Sequence, residues 1–463
     1  MGTSSAAPLV AELRSRVTGQ VVGAGDEEYD AARRVWNGIV DKHPLAVVRV
    51  ADEDDVVAVV DHARTRRLPL AVRGGGHGVA GYGTVDEGVV LDLGRLAGVD
   101  LDESTGTVRV GGGARLGDVD RATAPHGLVV PLGVVSQTGV GGLTLGGGVG
   151  WLTRAYGLTA DNVVAASVVT ASGERVTASE AEDGDLLWAL RGGGGNFGVV
   201  TRFTYRARAL PDPLVAVEMV YTEQRWPHAL RAWEAWTREL PDAMQSIATF
   251  IVPPPELGAG DEPLLVLASM WADPDDGAAG ERFLSELRAA APPDEETPES
   301  DWVAWQSAFD VLGGPGRRGY WRNTSFDRLD DEVVEVLLRR AGEQRWAGTG
   351  IDIHHMGGAF ARVPAEATPF PARGARFWLN VYGAWTDPAV DAPRTAWVRA
   401  VVQDMAPFST GGLYVNFLGA EAGDRAQATR AVYGAGPLER LAGLKRRYDP
   451  ENLFRLNHNV PPA

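Results

Sequence analysis

The 463-residue chain contains no cysteine. That excludes disulfides, thiolate zinc sites, iron–sulfur clusters and cysteine nucleophiles together. Lysine is nearly as scarce, with only Lys42 and Lys445 present, which leaves little for Schiff-base chemistry. No apolar run approaches the roughly 20 residues a membrane helix needs. The opening MGTSSAAPLVAELRSR has no basic segment leading into an apolar one, so no secretory signal is expected and a cytoplasmic location is. Positive charge is in deficit: 44 Lys and Arg against 61 Asp and Glu leave a net charge of -17. Phosphate contacts need clustered cations, so a nucleic-acid partner is excluded. No metal site is expected either, because the adjacent His354 and His355 have no cysteine or well-spaced acid beside them.

Glycine, by contrast, is abundant. From about residue 44 to 205, short apolar strands alternate with helical or glycine-rich stretches: a strand over 44–50, a helix over 52–67 with acids in its first turn, and a strand over 68–73 that runs into a glycine loop. The pattern continues through 88–93, 107–127 and 162–179. After about residue 206 the texture changes. Prolines (Pro211, Pro213, Pro253 to Pro255, Pro292, Pro293) separate period-2 segments at 264–272, 350–358, 375–385 and 411–417, with a helix over 331–344. A last helix from 437 stops at Asp449-Pro450 and leaves an extended tail. The expected class is α+β, with ligand loops at strand ends and a second, antiparallel sheet flanked by helices.

Three glycine loops carry the chemistry. The first is Arg73-Gly74-Gly75-Gly76-His77-Gly78. The second runs from Gly139 to Gly148 and includes Gly142, Gly146 and Gly147. The third runs from Arg191 to Gly198, contains Asn196 and leads into Val199. Glycine suits positions where backbone must approach a ligand or adopt positive φ, and successive free N–H groups make concave sites for a pyrophosphate. Tight turns alone would also use glycine. Gly193, Gly195 and Gly198 match a dinucleotide fingerprint by spacing, but a strand-like VVTRFTYRA follows where a helix is required. A Rossmann site is therefore rejected.

Taken in order, the motifs resemble the FAD-linked oxidases of the vanillyl-alcohol oxidase superfamily, in the berberine-bridge-enzyme-like branch. The resemblance covers nearly the whole chain. It includes Tyr29 with RRVWN (33–37), the RGGGHG loop with Asp92-Leu93 after it, residues 139–163, residues 185–201, Tyr448-Asp-Pro-Glu-Asn-Leu-Phe, and Asn457-His-Asn459-Val-Pro. It implies a bipartite FAD-binding part, residues 1–205 (a PCMH-type region over about 40–210) plus 425–463, around a substrate-binding part at 206–424. It implies FAD bonded through His77 and a small-molecule substrate, with dioxygen as the second one. Monomer and homodimer both stay open.

Two departures from the family matter. Where many relatives carry a second flavin-bonding cysteine, this chain has Val135, so a single link through His77 is expected, as in the hydroxynicotine-oxidase-like members. Thr138 stands where the family gates oxygen. The family's tyrosine base at the end of Y-x-N-Y is replaced in Tyr414-Val415-Asn416-Phe417, and Asn380 stands where other members place Glu or Gln. Both familiar bases are thus absent. Either the substrate needs no protein base, or another group acts: Asp352 and His354 share one face of a period-2 segment, with Tyr382 and Tyr414 expected on neighbouring strands. The expected activity is oxidation of an amine, alcohol or secondary metabolite with release of hydrogen peroxide. Oxygen insertion, and a flavin-free binding protein on the same fold, are the alternatives. The tryptophans of the second part (Trp226, Trp233, Trp236, Trp271, Trp302, Trp305, Trp321, Trp346, Trp378, Trp385) suit a core or a pocket for a flat substrate.

Overall fold

The computed structural model describes residues 6–313, 316–420 and 425–463. Three sheets organise them. The first is four-stranded, in the order Gln20–Gly23, Ala46–Arg49, Val89–Asp92, Leu70–Arg73, and its last three strands are parallel. The helix Glu53–Thr65 crosses between two of them. Asp52 caps its first turn by accepting from the Asp55 amide, and three acids follow where the helix dipole favours them. Val56, Val59, Val60 and Ala63 then pack on Val48 and Leu91.

The second sheet is antiparallel, in the order Val99–Asp102, Thr107–Gly111, Val199–Arg206, Val163–Val169, Arg175–Ser179. Its inner face (Val108, Val110, Val168, Phe203, Tyr205) is buried with the helix Gly184–Leu190 and with Leu441, Leu444 and Tyr448 of the helix Ala435–Tyr448. The C-terminal segment therefore returns to the layer built by the N-terminal half.

The third sheet has seven antiparallel strands, in the order Glu295–Glu299, Val215–Tyr221, Leu264–Trp271, Met244–Ile251, Gly350–His355, Phe377–Trp385, Arg318–Phe326. Alternation divides its faces. Ala248, Phe250, Ile351, Ile353, Leu379 and Val381 pack against the helices Trp226–Thr237, Gly277–Ala290, Asp331–Gly342 and Asp391–Met405. The opposite face carries polar side chains. Thr249 pairs with Asp352, Asp352 with Asn380, and Asn380 with Asn323, a polar row across four strands.

One expectation is corrected. Residues 411–417 form no strand; Val415–Phe417 is a single 3₁₀ turn, so Tyr414 does not sit on a strand beside Tyr382. Asn323 replaces the ladder there, donating from Nδ2 to the Tyr414 and Phe417 carbonyls (both 3.0 Å) and accepting from the Tyr414 amide (2.8 Å). A side chain that satisfies three backbone groups leaves nothing for strand pairing to gain. Among the described residues, no helix is long and apolar enough to cross a membrane.

The C-terminal return is locked by one buried ion pair. Lys445 Nζ donates to Asp449 Oδ2 (2.6 Å), to Asn196 O and to Phe454 O (both 2.8 Å), with both side chains fully buried. Asp449 also accepts from the Leu453 and Phe454 amides. K445M leaves that carboxylate buried and uncompensated, and is expected to lower unfolding free energy by about 3–5 kcal/mol, as measured by denaturant titration against wild type.

Candidate active site

The strand Leu70–Arg73 delivers the first glycine loop. Arg73 is buried and structural: its guanidinium donates to Asp92 Oδ2 (2.8 Å), Ala32 O (2.7 Å) and Arg34 O (3.2 Å). The first and second loops meet backbone to backbone. A Cβ added at Gly75 would lie 2.6 Å from Gly139 Cα, and one at Gly139 would lie 2.3 Å from Gly75 N. The second loop turns through Gly147 and Gly148 at φ +115° and +83°.

These loops form one wall of a deep cavity, with an empty volume of about 2330 Å³ including its open mouth. The polar face of the seven-stranded sheet forms the facing wall through Ile247, Thr249, Trp321, Asp352, His354, Asn380 and Tyr382. Arg73, Gly74, Gly75, Gly76, His77, Gly78, Val135, Thr138, Gly139, Gly142, Gly146, Gly198 and Asn457 all line the cavity. Gly147, Gly148, Asn196, Val199 and Asn459 stand behind the wall. Asn196 Nδ2 donates to Gly193 O (2.9 Å) and its Oδ1 accepts from Val460 N (3.0 Å), which ties the third loop to the C-terminal tail. Val199 faces the apolar core, while its neighbour Val200 lines the cavity.

His77 sits with its ring against Trp36, centroids 4.8 Å apart and planes 27° apart. Burial pushes its pKa down to about 4; Asp310 opposes this and Arg115 adds to it. The imidazole is therefore neutral at pH 7, with a lone pair available. Asp310, in turn, accepts from Ser136 N (2.9 Å) and Oγ (2.5 Å) and so holds the Val135 loop.

The five residues named from the sequence as catalytic candidates all border the cavity but differ in what they can do. The Tyr414 hydroxyl accepts from Gly148 N and Val149 N (both 3.1 Å) and from Asn416 Nδ2 (2.9 Å), and Asn416 also donates to Leu143 O (3.0 Å). This pair braces the second loop. On the sheet, Tyr382 donates to Asp352 Oδ1 (3.2 Å) and Asn380 Nδ2 to Asp352 Oδ2 (3.3 Å). Burial pushes the Asp352 carboxyl up to about 7, against hydrogen bonds from Thr249, Asn380 and Tyr382. Burial and the adjacent Asp352 push Tyr382 well above the usual phenol range, so it stays protonated. His354, buried beside Phe417, is pushed down to about 4 and is neutral, its Nε2 without a partner among the described residues. Asp352 is the side chain here that can exchange a proton near neutral pH.

Trp321, one of the tryptophans named from the sequence for a core or a pocket, lines the cavity, as do Tyr433 and His458. His458 lies inside the Asn457-His-Asn459 motif without being singled out by it, and nothing in the local sequence marks Tyr433.

Two regions of the chain match known families: residues 44–179 an FAD binding domain, and residues 413–461 a berberine and berberine-like domain. The chain is 32% identical to the FAD-linked oxidoreductase pgmH of Aspergillus terreus, over 98% of this chain and 96% of that one. It is 28% identical to the (R)-6-hydroxynicotine oxidase of Paenarthrobacter nicotinovorans, over 96% and 97%. The chain belongs to the berberine-bridge-enzyme-like FAD-linked oxidoreductases. The crystal structure of 6-hydroxy-D-nicotine oxidase from Arthrobacter nicotinovorans superposes with a TM-score of 0.85 at 26% identity, covering 96% of this chain and 98% of that one. The cavity suits the family's cofactor. The Tyr433 hydroxyl and Asn457 Oδ1 are buried in its wall region without a partner among the described residues, and the glycine loops offer backbone where a side chain would intrude.

If contact between the loops shapes this FAD-linked oxidoreductase's cofactor site, Gly75 and a glycine away from the cavity should respond differently to a methyl group. A Cβ at the exposed Gly98 meets nothing within 4 Å. G75A is expected to separate the loops and lower the flavin-to-protein absorbance ratio of purified enzyme at least several-fold, while G98A keeps it near wild type.

Proposed function

We propose that this enzyme is an oxidase that takes hydride from a small amine, alcohol or secondary-metabolite substrate onto FAD held by a single covalent link through His77, with dioxygen as the final acceptor and hydrogen peroxide as product. In this reading residues 1–205 and 425–463 hold the flavin and 206–424 supply the substrate wall. The supporting observation is the shared cavity: the three glycine loops with His77 form one side, and the Asp352–Tyr382–Asn380 cluster faces them. When bound, FAD supplies hydride acceptance and electron transfer to oxygen.

The chain's own residues do the rest. His77, neutral and at the cavity wall, is the group that would hold the flavin covalently; Val135 offers no thiol for a second link. Asp352 accepts the substrate's hydroxyl or ammonium proton. Tyr382 and Asn380 orient that carboxylate and stabilise it once charged. Neutral His354 and the aromatic ring of Trp321 position the substrate against the opposite wall. No arginine or lysine lines the substrate side of the cavity among the described residues, which disfavours anionic substrates.

Below about pH 7 Asp352 carries its proton and cannot accept another; above it the carboxylate is free to do so. The rate of substrate-driven flavin reduction should therefore rise with pH through about 7. D352N should remove that rise and lower the rate by about 10²–10⁴-fold at pH 8; a wild-type profile in D352N refutes the assignment. Screening purified enzyme against amines, phenols, sugars and polyketide-like alcohols tests the activity itself. Peroxide equal to product supports oxidase chemistry, and product without peroxide favours oxygen insertion. Acid-precipitated wild-type protein should keep its colour, and H77A should lose it all.

A further inference from the structure

The segment Trp36-Asn37-Gly38 has no regular secondary structure, yet it is held from two sides. Trp36 N donates to the carbonyl of Gly76, the residue before His77 (3.0 Å), while Trp36 O accepts from Gly316 N (3.1 Å) and Gly38 N donates to Arg317 O (2.9 Å). Asn37, only 2% exposed, donates from Nδ2 to Val79 O (2.8 Å) and Gly319 O (2.9 Å) and accepts from Gly319 N (3.1 Å). One short stretch thus stitches the His77 loop to the edge strand Arg318–Phe326 of the seven-stranded sheet.

The side chains continue this link. The Trp36 indole lies face-on to the His77 ring, and Trp321 meets Trp36 edge-on at 5.3 Å and 68°. Trp321 also stacks on Tyr382 at 5.7 Å and 17°. Beyond this stack, the His77 ring meets a hydrogen bond with its own backbone and the nearby Asp310. Its loop turns through Gly76 at φ +68°, Gly78 has open space around it, and His77 Nε2 has no hydrogen-bond partner among the described residues.

We infer that Trp36 is a positioning residue for covalent flavin attachment: its indole face sets the plane of the His77 imidazole, and Asn37 ties that stack to the docked seven-stranded sheet. This rests on His77 as the attachment point. In the attachment, an N–C bond replaces one imidazole N–H and one C–H of the flavin 8-methyl group. The two hydrogens leave with two electrons to dioxygen, giving hydrogen peroxide and an oxidised, linked flavin. The imidazole nitrogen must aim its lone pair at a carbon, so the rate depends steeply on ring orientation; a misplacement of about 1 Å can cost on the order of 10²-fold.

The test follows attachment directly. Flavin-free full-length protein is mixed with FAD, and the colour that survives acid precipitation is measured over time, with total bound flavin and thermal unfolding read on the same samples. W36A should slow attachment, counted per bound FAD because Trp36 also lines the cavity, by about tenfold or more, and W36F should recover most of the rate. W36L, which fills the space without a ring face, should behave as W36A and replaces it if W36A is unstable. Attachment at the wild-type rate in W36A or W36L, or W36F no faster than they are, overturns the inference. Acid-stable flavin in H77A would instead overturn the attachment site on which it rests.

Discussion

Gly75 and Gly139 come together so closely that even a methyl group on either would overlap the other's backbone. Everything at the cofactor side depends on that contact. It brings the loop that carries His77 against the loop that carries Thr138, and together they present backbone rather than side chains to the cavity. The supports behind the wall serve the same contact. Tyr414 and Asn416 reach across from the segment after the seven-stranded sheet to brace the second loop, and Asn196 and Lys445 pin the third loop to the C-terminal tail. Glycine supplies the closeness, and buried polar side chains supply the rigidity glycine lacks.

The sheet side of the cavity works through the opposite property. There the sheet's alternation places a polar row in a poorly hydrated space, where charge is costly. Burial raises Asp352 and lowers His354, and Tyr382 is kept as a donor. One face thus holds a neutral imidazole, a protonated phenol and a carboxyl poised near neutrality. The same alternation buries Ile351, Ile353, Leu379 and Val381 against helices, so the chemistry and the stability of these strands come from the same period of two.

Much of this was legible in the chain. The helix after Asp52 was readable from its cap and acids, and the strands at 264–271, 350–355 and 377–385 from alternation. The strand after Gly198 was readable too, and it is what excluded a dinucleotide-binding helix. Residues 411–417 misled because Leu413, Val415 and Phe417 alternate like a strand, while Asn323, nearly a hundred residues away, takes their hydrogen bonds. For Tyr414, named beside a missing tyrosine, the structure adds that its hydroxyl accepts from the Gly148 and Val149 amides.

The sequence by itself determined the glycine wall of the cavity: three glycine loops in order, with His77 inside the first and Val135 ahead of the second. Close backbone approach requires glycine, so that demand is written in residue type. Only the tertiary structure decided which side chains meet across the cavity and which ring lies against His77. The Asp352 carboxyl is unremarkable until four strands bury it beside Tyr382 and Asn380, and Trp36 is one tryptophan among many until its loop is stitched to Gly76 and Gly319. Burial and ring stacking are relations between distant residues, and local sequence does not encode them.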